Sequence, residues 1–136
     1  LDLPVVIHDR EAHGDILDFF RKEAPKNLRA VFHCYSGSLE MAKELWKRGI
    51  YLGFGGSSTY KNNKKVREVL AACPAELFLL ETDCPYLTPE PYRGRRNDPS
   101  MTEFIAQNAA LVRGTSFAEI AVQSTKNAKV LFNKIK

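Results

Sequence analysis

The sequence has few cysteines, no C-x-x-C pair and no long apolar run, and each of these absences excludes something. Three cysteines without such a pair argue against a disulfide framework and predict a reducing, cytoplasmic environment. No stretch approaches the roughly 18 apolar residues of a membrane-spanning helix, and no basic-then-apolar leader is visible. We therefore expect neither membrane insertion nor secretion.

The sequence also has only a small excess of one charge sign over the other. Twenty basic residues stand against 16 acidic ones, for a net charge of +4. This excess permits anionic partners but is too small to require nucleic acid. The 136 residues suffice for one domain or part of one. The chain opens with Leu1-Asp2-Leu3-Pro4 rather than with methionine, so we expect it to be an interior piece of a longer protein.

Short apolar runs alternate with amphipathic segments along the first 81 residues. This pattern predicts strands over 4–8, 28–34, 51–54 and 77–81, and helices over 9–24, 39–48 and 62–73. Such alternation is typical of an α/β fold, with parallel strands joined by right-handed crossovers. A proline-containing loop over 84–99 follows. Two capping boxes, Ser100 with Glu103 and Ser116 with Glu119, predict two more helices, and a last helix carries Ala128, Leu131 and Phe132.

Potential metal ligands stand at the tips of three predicted strands, at His8, His33 and Asp83. Because the carboxyl ends of parallel strands lie at the same edge of a sheet, we expect these three side chains to converge. Imidazole nitrogen and carboxylate oxygen suit Zn²⁺ or Mn²⁺. Glu81 shares a sheet face with Asp83, so it either supports a ligand or forms an ordinary ion pair at the core edge. From the pattern alone, a metal site and a row of solvated strand ends both stay open.

Four segments, taken in order, resemble the signatures of the TatD family of metal-dependent hydrolases and deoxyribonucleases. They are Pro4–Arg10, His33–Gly37, Glu81–Pro89 and Arg93–Pro99. The resemblance implies an amidohydrolase-type (β/α)₈ TIM barrel and two divalent ions (Mg, Mn or Zn) in the complete enzyme. It also implies that His8 and His33 hold one ion. Asp83 then holds the other ion or acts as a base toward water.

The family's opening D-x-H-x-H strand and its G-E-x-G-L-D segment have no counterpart in these 136 residues. By resemblance, residues 1–136 are the C-terminal half of a single barrel, about its last four strand–helix units. We expect this chain alone to be inactive. The expected partner is the missing N-terminal half, or a second copy of the chain.

The resemblance further implies a deoxyribonuclease that cleaves phosphodiester bonds from an end of DNA. Arg95 and Arg96 follow the Asp83 strand on a loop where guanidinium groups can bind phosphates, and Tyr86 can stack on a base. A solvated basic loop is the alternative for these residues. Two other functions stay open: a metal-dependent amidohydrolase or lactonase acting on a small molecule, and a half-barrel without catalysis.

Overall fold

The structure, a computed structural model, describes residues 2–134. Four strands and five α-helices lie within that range, and short 3₁₀ turns precede two of the helices. None of these helices combines the length and the apolar character that crossing a membrane requires. The elements in chain order are β1 (Val5–His8), α1 (His13–Lys22), β2 (Ala30–His33), α2 (Leu39–Trp46), β3 (Tyr51–Phe54), α3 (Lys64–Ala72), β4 (Phe78–Leu80), α4 (Thr102–Arg113) and α5 (Phe117–Leu131).

The four strands form one parallel sheet in the order β1-β2-β3-β4. Neighbours along the chain are therefore neighbours in the sheet, with a helix in each of the three connections. The register pairs His8 with His33 at the last position of β1 and β2. The predicted α/β alternation with parallel strands is confirmed.

The two faces of the sheet are buried to different degrees. Phe32, Phe54 and Phe78 are fully buried in the main core. Burial of each such ring contributes roughly 1.5–3 kcal/mol. The side chains that alternate with them point to the other face, where Val31 and Leu79 contact the end of α5. The helices thus cover one face almost completely and the other only in part.

Strand β1 is the least buried strand. Val5 and Val6 keep 43% and 59% of their surface exposed, although both are β-branched residues of the kind that usually fills a sheet interior. β1 pairs with β2 on one side, and its other edge has no partner strand within residues 2–134. The β-branched run over residues 4–8 predicts a buried strand, so this exposure is a correction to the sequence-based expectation.

Helix α1 begins at His13, four residues later than predicted. The Asp9 side chain accepts a hydrogen bond from the Ala12 N–H at 3.2 Å, and Asp9 Oδ2 lies 2.6 Å from His13 Nδ1. Glu11 has a φ of 59°, which no right-handed helix allows. A polar turn therefore occupies the predicted first helical turn.

The predicted capping box of Ser100 with Glu103 is wrong. Asp98 caps a 3₁₀ turn over Pro99–Met101 instead, and its Oδ1 accepts the Ser100 N–H at 2.8 Å. The carboxylate of Glu103 accepts a hydrogen bond from Gln107 at 3.2 Å. The reason is the proline, because its preset φ suits the first turn of a helix and moves the cap upstream.

The second predicted capping box, Ser116 with Glu119, forms in both directions and is confirmed. The two helices predicted after it are, however, one continuous helix, α5. No glycine or proline interrupts residues 117–131. Asn127 does not end the helix, because its buried amide donates to the carbonyls of Ala75 and Phe78, at 2.8 Å each.

Candidate metal centre

The carboxyl edge of the sheet brings together the three side chains predicted to bind metal. The rings of His8 and His33 lie side by side, with centroids 5.8 Å apart and planes 29° from parallel. Asp83 Oδ1 lies 3.3 Å from His33 Nε2. We call His8, His33, Glu81 and Asp83 the strand-tip cluster.

Glu81 is the most constrained member of the strand-tip cluster. It follows β4 directly, and its N–H donates to the Phe54 carbonyl at 3.2 Å. Its Oε2 lies 2.7 Å from His33 Nδ1, and its Oε1 accepts the backbone N–H of Cys34. Both carboxylate oxygens therefore have a partner. The sequence offers no signal for the Cys34 contact, because it comes from the backbone of a residue with a left-handed φ of 48°.

The surroundings of His33 favour its charged form. Burial of the ring lowers the pKa of His33, but the hydrogen bond and the charge of Glu81, together with those of Asp83, outweigh burial and raise the pKa above its ordinary value. For the neighbouring Cys34 thiol, in contrast, burial raises the pKa to about 11. The thiol is therefore neutral near pH 7.

The donor set fits a divalent ion chemically. Imidazole nitrogen with carboxylate oxygen is a usual set for Zn²⁺ and related ions, and a histidine ligand usually donates its other N–H to a carboxylate, as His33 can to Glu81. Within residues 2–134, however, no three His, Cys, Asp or Glu side chains are placed to hold one ion. The ligand roles of His8, His33 and Asp83 stay predictions.

Two arginines of the loop over residues 84–99, which we call the basic loop, stack on aromatic rings. The guanidinium of Arg93 lies 4.3 Å above the Tyr60 ring, and that of Arg95 lies 5.5 Å from the centre of the Tyr92 ring. Such contacts typically contribute about 0.5–1 kcal/mol at exposed sites. Arg96 is exposed.

Tyr86 is 70% exposed on the same loop. The backbone around it is fixed by buried Asn97, whose side-chain amide donates to the Tyr86 carbonyl at 2.6 Å. The Asn97 N–H donates to the Pro85 carbonyl at 3.1 Å. The Tyr86 N–H donates to the Asp83 carbonyl at 2.8 Å. In the described part of the chain, no side-chain hydrogen bond or ion pair joins Tyr86, Arg95 or Arg96 to the strand-tip cluster. Their predicted binding roles depend on a substrate that contacts both this loop and the strand-tip cluster.

Comparison with known proteins gives one consistent result. The family model described as TatD related DNase matches residues 1–133. The metal-dependent hydrolase YabD of Bacillus subtilis is 43% identical over 132 residues, which are 97% of this chain and 52% of that protein. The 3'-5' ssDNA/RNA exonuclease TatD of Erwinia tasmaniensis is 36% identical over 138 residues, covering 98% of this chain and 53% of that protein.

A solved structure agrees. The TatD homologue YJJV from Escherichia coli K12 superimposes with a TM-score of 0.87 at 32% identity, covering 98% of this chain and 51% of that one. The chain thus spans about half the length of the curated relatives it matches. The fold prediction is confirmed at this level: the chain has the parallel α/β architecture of about four strand–helix units of a TIM barrel.

Proposed function

Since the chain belongs to the TatD related DNase family, we propose that residues 1–136 are the C-terminal half of a divalent-metal-dependent hydrolase barrel. Its substrate is DNA, cleaved at phosphodiester bonds from an end. The observation that carries this proposal is the strand-tip cluster at one edge of a parallel sheet. We assign the reaction to a reducing, cytoplasmic compartment, because Cys34, Cys73 and Cys84 are all free thiols.

In this proposal His8 and His33 hold one metal ion, and Asp83 holds the other ion or acts as a base toward water. A bound divalent ion supplies Lewis acidity toward water and the phosphodiester, and we propose two ions (Mg, Mn or Zn) in the complete barrel. Glu81 accepts a hydrogen bond from the Nδ1–H of His33, which leaves the lone pair on Nε2, the ring nitrogen that faces Asp83. The Asp83 side chain is 41% exposed, and in the base role we propose that it accepts a proton from water.

The basic loop binds substrate in this proposal. Arg96 is exposed, and its guanidinium suits two phosphate oxygens at once. Arg95 does the same while resting against Tyr92. The exposed Tyr86 ring offers a flat surface on which a base of any sequence can stack. Cleavage from an end follows the name of the Erwinia relative, a 3'-5' exonuclease.

The remaining half of the barrel is the proposed partner, with a second copy of this chain as the alternative occupant. The open sheet face supports this: Val6, on the face of His8, borders a groove of about 350 Å³ between β1 and the end of α5. Val122 and Val130, on α5, are 70% and 59% exposed. Such apolar surface is typical of a face that another element covers.

The test joins this chain with the half of the Bacillus subtilis relative that it does not match. The joined protein should release nucleotides from single-stranded DNA with Mg²⁺ or Mn²⁺, and a chelator should stop the release. Asp83→Asn should abolish turnover, because the carboxylate charge is lost. Arg96→Ala should mainly weaken DNA binding and reduce its salt dependence, since one phosphate contact disappears. Lys47→Ala, at the end of α2 and exposed, is the control for loss of a surface charge.

Three outcomes would contradict the proposal. Hydrolysis of a lactone or small amide by the joined protein, with DNA left intact, would favour the amidohydrolase alternative. It could fold and bind no divalent ion, which would favour a half-barrel without catalysis. Full turnover by the 136-residue chain as a monomer in size-exclusion chromatography would show that no partner half is needed.

A further inference from the structure

The contact between Glu81 and His33 spans an intervening strand. Glu81 follows β4, His33 ends β2, and β3 lies between them in the sheet. Glu81 Oε2 nevertheless lies 2.7 Å from His33 Nδ1. The Glu81 side chain must therefore pass across β3 to reach the histidine.

Gly53 is the residue of β3 over which the carboxylate passes. A Cβ atom at Gly53 would lie 2.7 Å from Glu81 Oε1, 2.8 Å from Cδ and 3.1 Å from Oε2. Non-bonded carbon atoms pack best at roughly 3.5–4.0 Å, so any side chain at this position would displace the carboxylate. The carboxylate has little room to yield, because Cys34 and His33 hold its two oxygens.

Backbone conformation does not explain the glycine. The glycines with positive φ in the described part of the chain are Gly49, Gly94 and Gly114, and Gly53 is not among them. A glycine in a strand interior costs stability, since it lacks a side chain to pack and loses more backbone entropy on folding. The geometry instead explains the glycine at position 53 by the space that the Glu81 side chain occupies.

We propose that Gly53 is a positioning residue for the strand-tip cluster: its missing side chain is the passage through which Glu81 reaches His33. Glu81 then holds the His33 ring in the tautomer with the proton on Nδ1. The catalytic consequence rests on the function proposed above, whereas the geometric claim needs neither metal nor substrate.

Gly55 provides a matched control two residues further along. A Cβ at Gly55 would lie 3.6 Å from the Glu81 carbonyl oxygen, 3.7 Å from Glu81 Cγ and 3.9 Å from Cys34 Sγ, which are ordinary contacts. Its φ of −107° is open to alanine. Gly55→Ala thus adds the same methyl group beside the same glutamate without blocking its path.

The experiment reads the His33 tautomer by long-range ¹⁵N NMR on the metal-free 136-residue chain, at a pH above the raised pKa of His33, where the ring is neutral. Wild type and Gly55→Ala should show the proton on Nδ1. Gly53→Ala should lose that pattern, and so should Glu81→Gln. A folded Gly53→Ala chain that keeps the Nδ1–H pattern would overturn the proposal. A lost pattern in Gly53→Ala, with full hydrolysis by the joined protein that carries the same substitution, would support the role of Gly53 and count against the proposed function of the strand-tip cluster.

A stability cycle covers the case in which Gly53→Ala does not fold. The substitution should lower the denaturant midpoint in wild type and leave it nearly unchanged in a Glu81→Ala background, where the clashing carboxylate is gone. If the Gly53→Ala single variant is unfolded, the Gly53→Ala/Glu81→Ala double variant should recover folding. An equal loss in both backgrounds would show that the clash is not with Glu81, and the proposal would be wrong.

Discussion

His8 and His33 occupy the same place in adjacent strands, and yet their surroundings differ. They are register partners at the last position of β1 and β2. The His33 side chain is only 19% exposed, with Glu81 on one ring nitrogen and Asp83 near the other. His8 is exposed, and residues 2–134 contribute no hydrogen bond to its ring.

The difference follows from position in the sheet. β2 has a strand on each side, so carboxylates that follow β4 reach His33 across β3. β1 has a neighbour only toward β2 within the described residues. The residue type at a strand tip therefore comes from its own strand, whereas the hydrogen bonds that orient its side chain come from strands further along the sheet. Four predictions test this contrast, from the largest expected effect to the smallest.

The largest effect should come from the residue that orients His33. Glu81→Gln should lower the affinity for Mn²⁺ by about 10–100-fold in the protein joined to the unmatched half of the Bacillus relative. The reason is geometric: the amide oxygen faces the Cys34 N–H, so the NH₂ group faces His33 and the proton moves to Nε2. Calorimetric titration measures the affinity.

Asp9→Asn is the matched control, because Asp9 follows the His8 strand but contacts His13 instead. The Mn²⁺ affinity of the joined protein with Asp9→Asn should stay within a factor of a few of the wild-type affinity. Equal losses in the two variants would mean that the hydrogen bond to His33 has no special role.

Removing the two histidines should have unequal effects on stability. His33→Ala should lower the free energy of unfolding by about 1–2 kcal/mol, since it leaves the partly buried Glu81 carboxylate short of a partner. His8→Ala should change it by no more than about 0.5 kcal/mol, as is usual for an exposed residue. Urea denaturation of both variants measures the difference, and equal values would break the comparison.

The two serine motifs offer the same contrast between a local pattern and its surroundings. Ser116→Ala should cost about 0.5–1 kcal/mol, because it removes a capping hydrogen bond to the Glu119 N–H at 3.2 Å. Ser100→Ala should cost clearly less, since Asp98 keeps the cap of that turn. A larger loss for Ser100→Ala in urea denaturation would contradict the assignment of Asp98 as the cap.

The smallest effect should be the pH dependence from His33. Its pKa is higher in the folded chain than the ordinary value of about 6.5. Its contribution to stability is therefore fully present below about pH 6.5 and is lost as pH rises through the raised pKa. Solvent contact screens the effect and keeps it small. Denaturation curves across this range should lose the trend in His33→Gln, and a trend of opposite sign would contradict the raised pKa.

Much of the site could be predicted from sequence because its residues stand at strand ends. β-branched runs ending in His8 and His33 predict parallel strands, and parallel strands place their carboxyl ends together. The capping box of Ser116 could also be predicted from sequence, because a capping box involves only four consecutive residues. The Ser100 box was predicted wrongly, because Asp98 and Pro99 form the cap of the same turn instead.

The sequence by itself determined the order of strands and helices, the residue types at the strand tips and the family to which the chain belongs. All of these depend on local spacing and on residues close in the chain. Only the tertiary structure decided that Glu81 crosses β3 to reach His33, that Gly53 leaves it room, and that β1 stays exposed. The physical reason is distance along the chain: His33 and Glu81 are 48 residues apart, and no local pattern encodes a contact that depends on the strand lying between them.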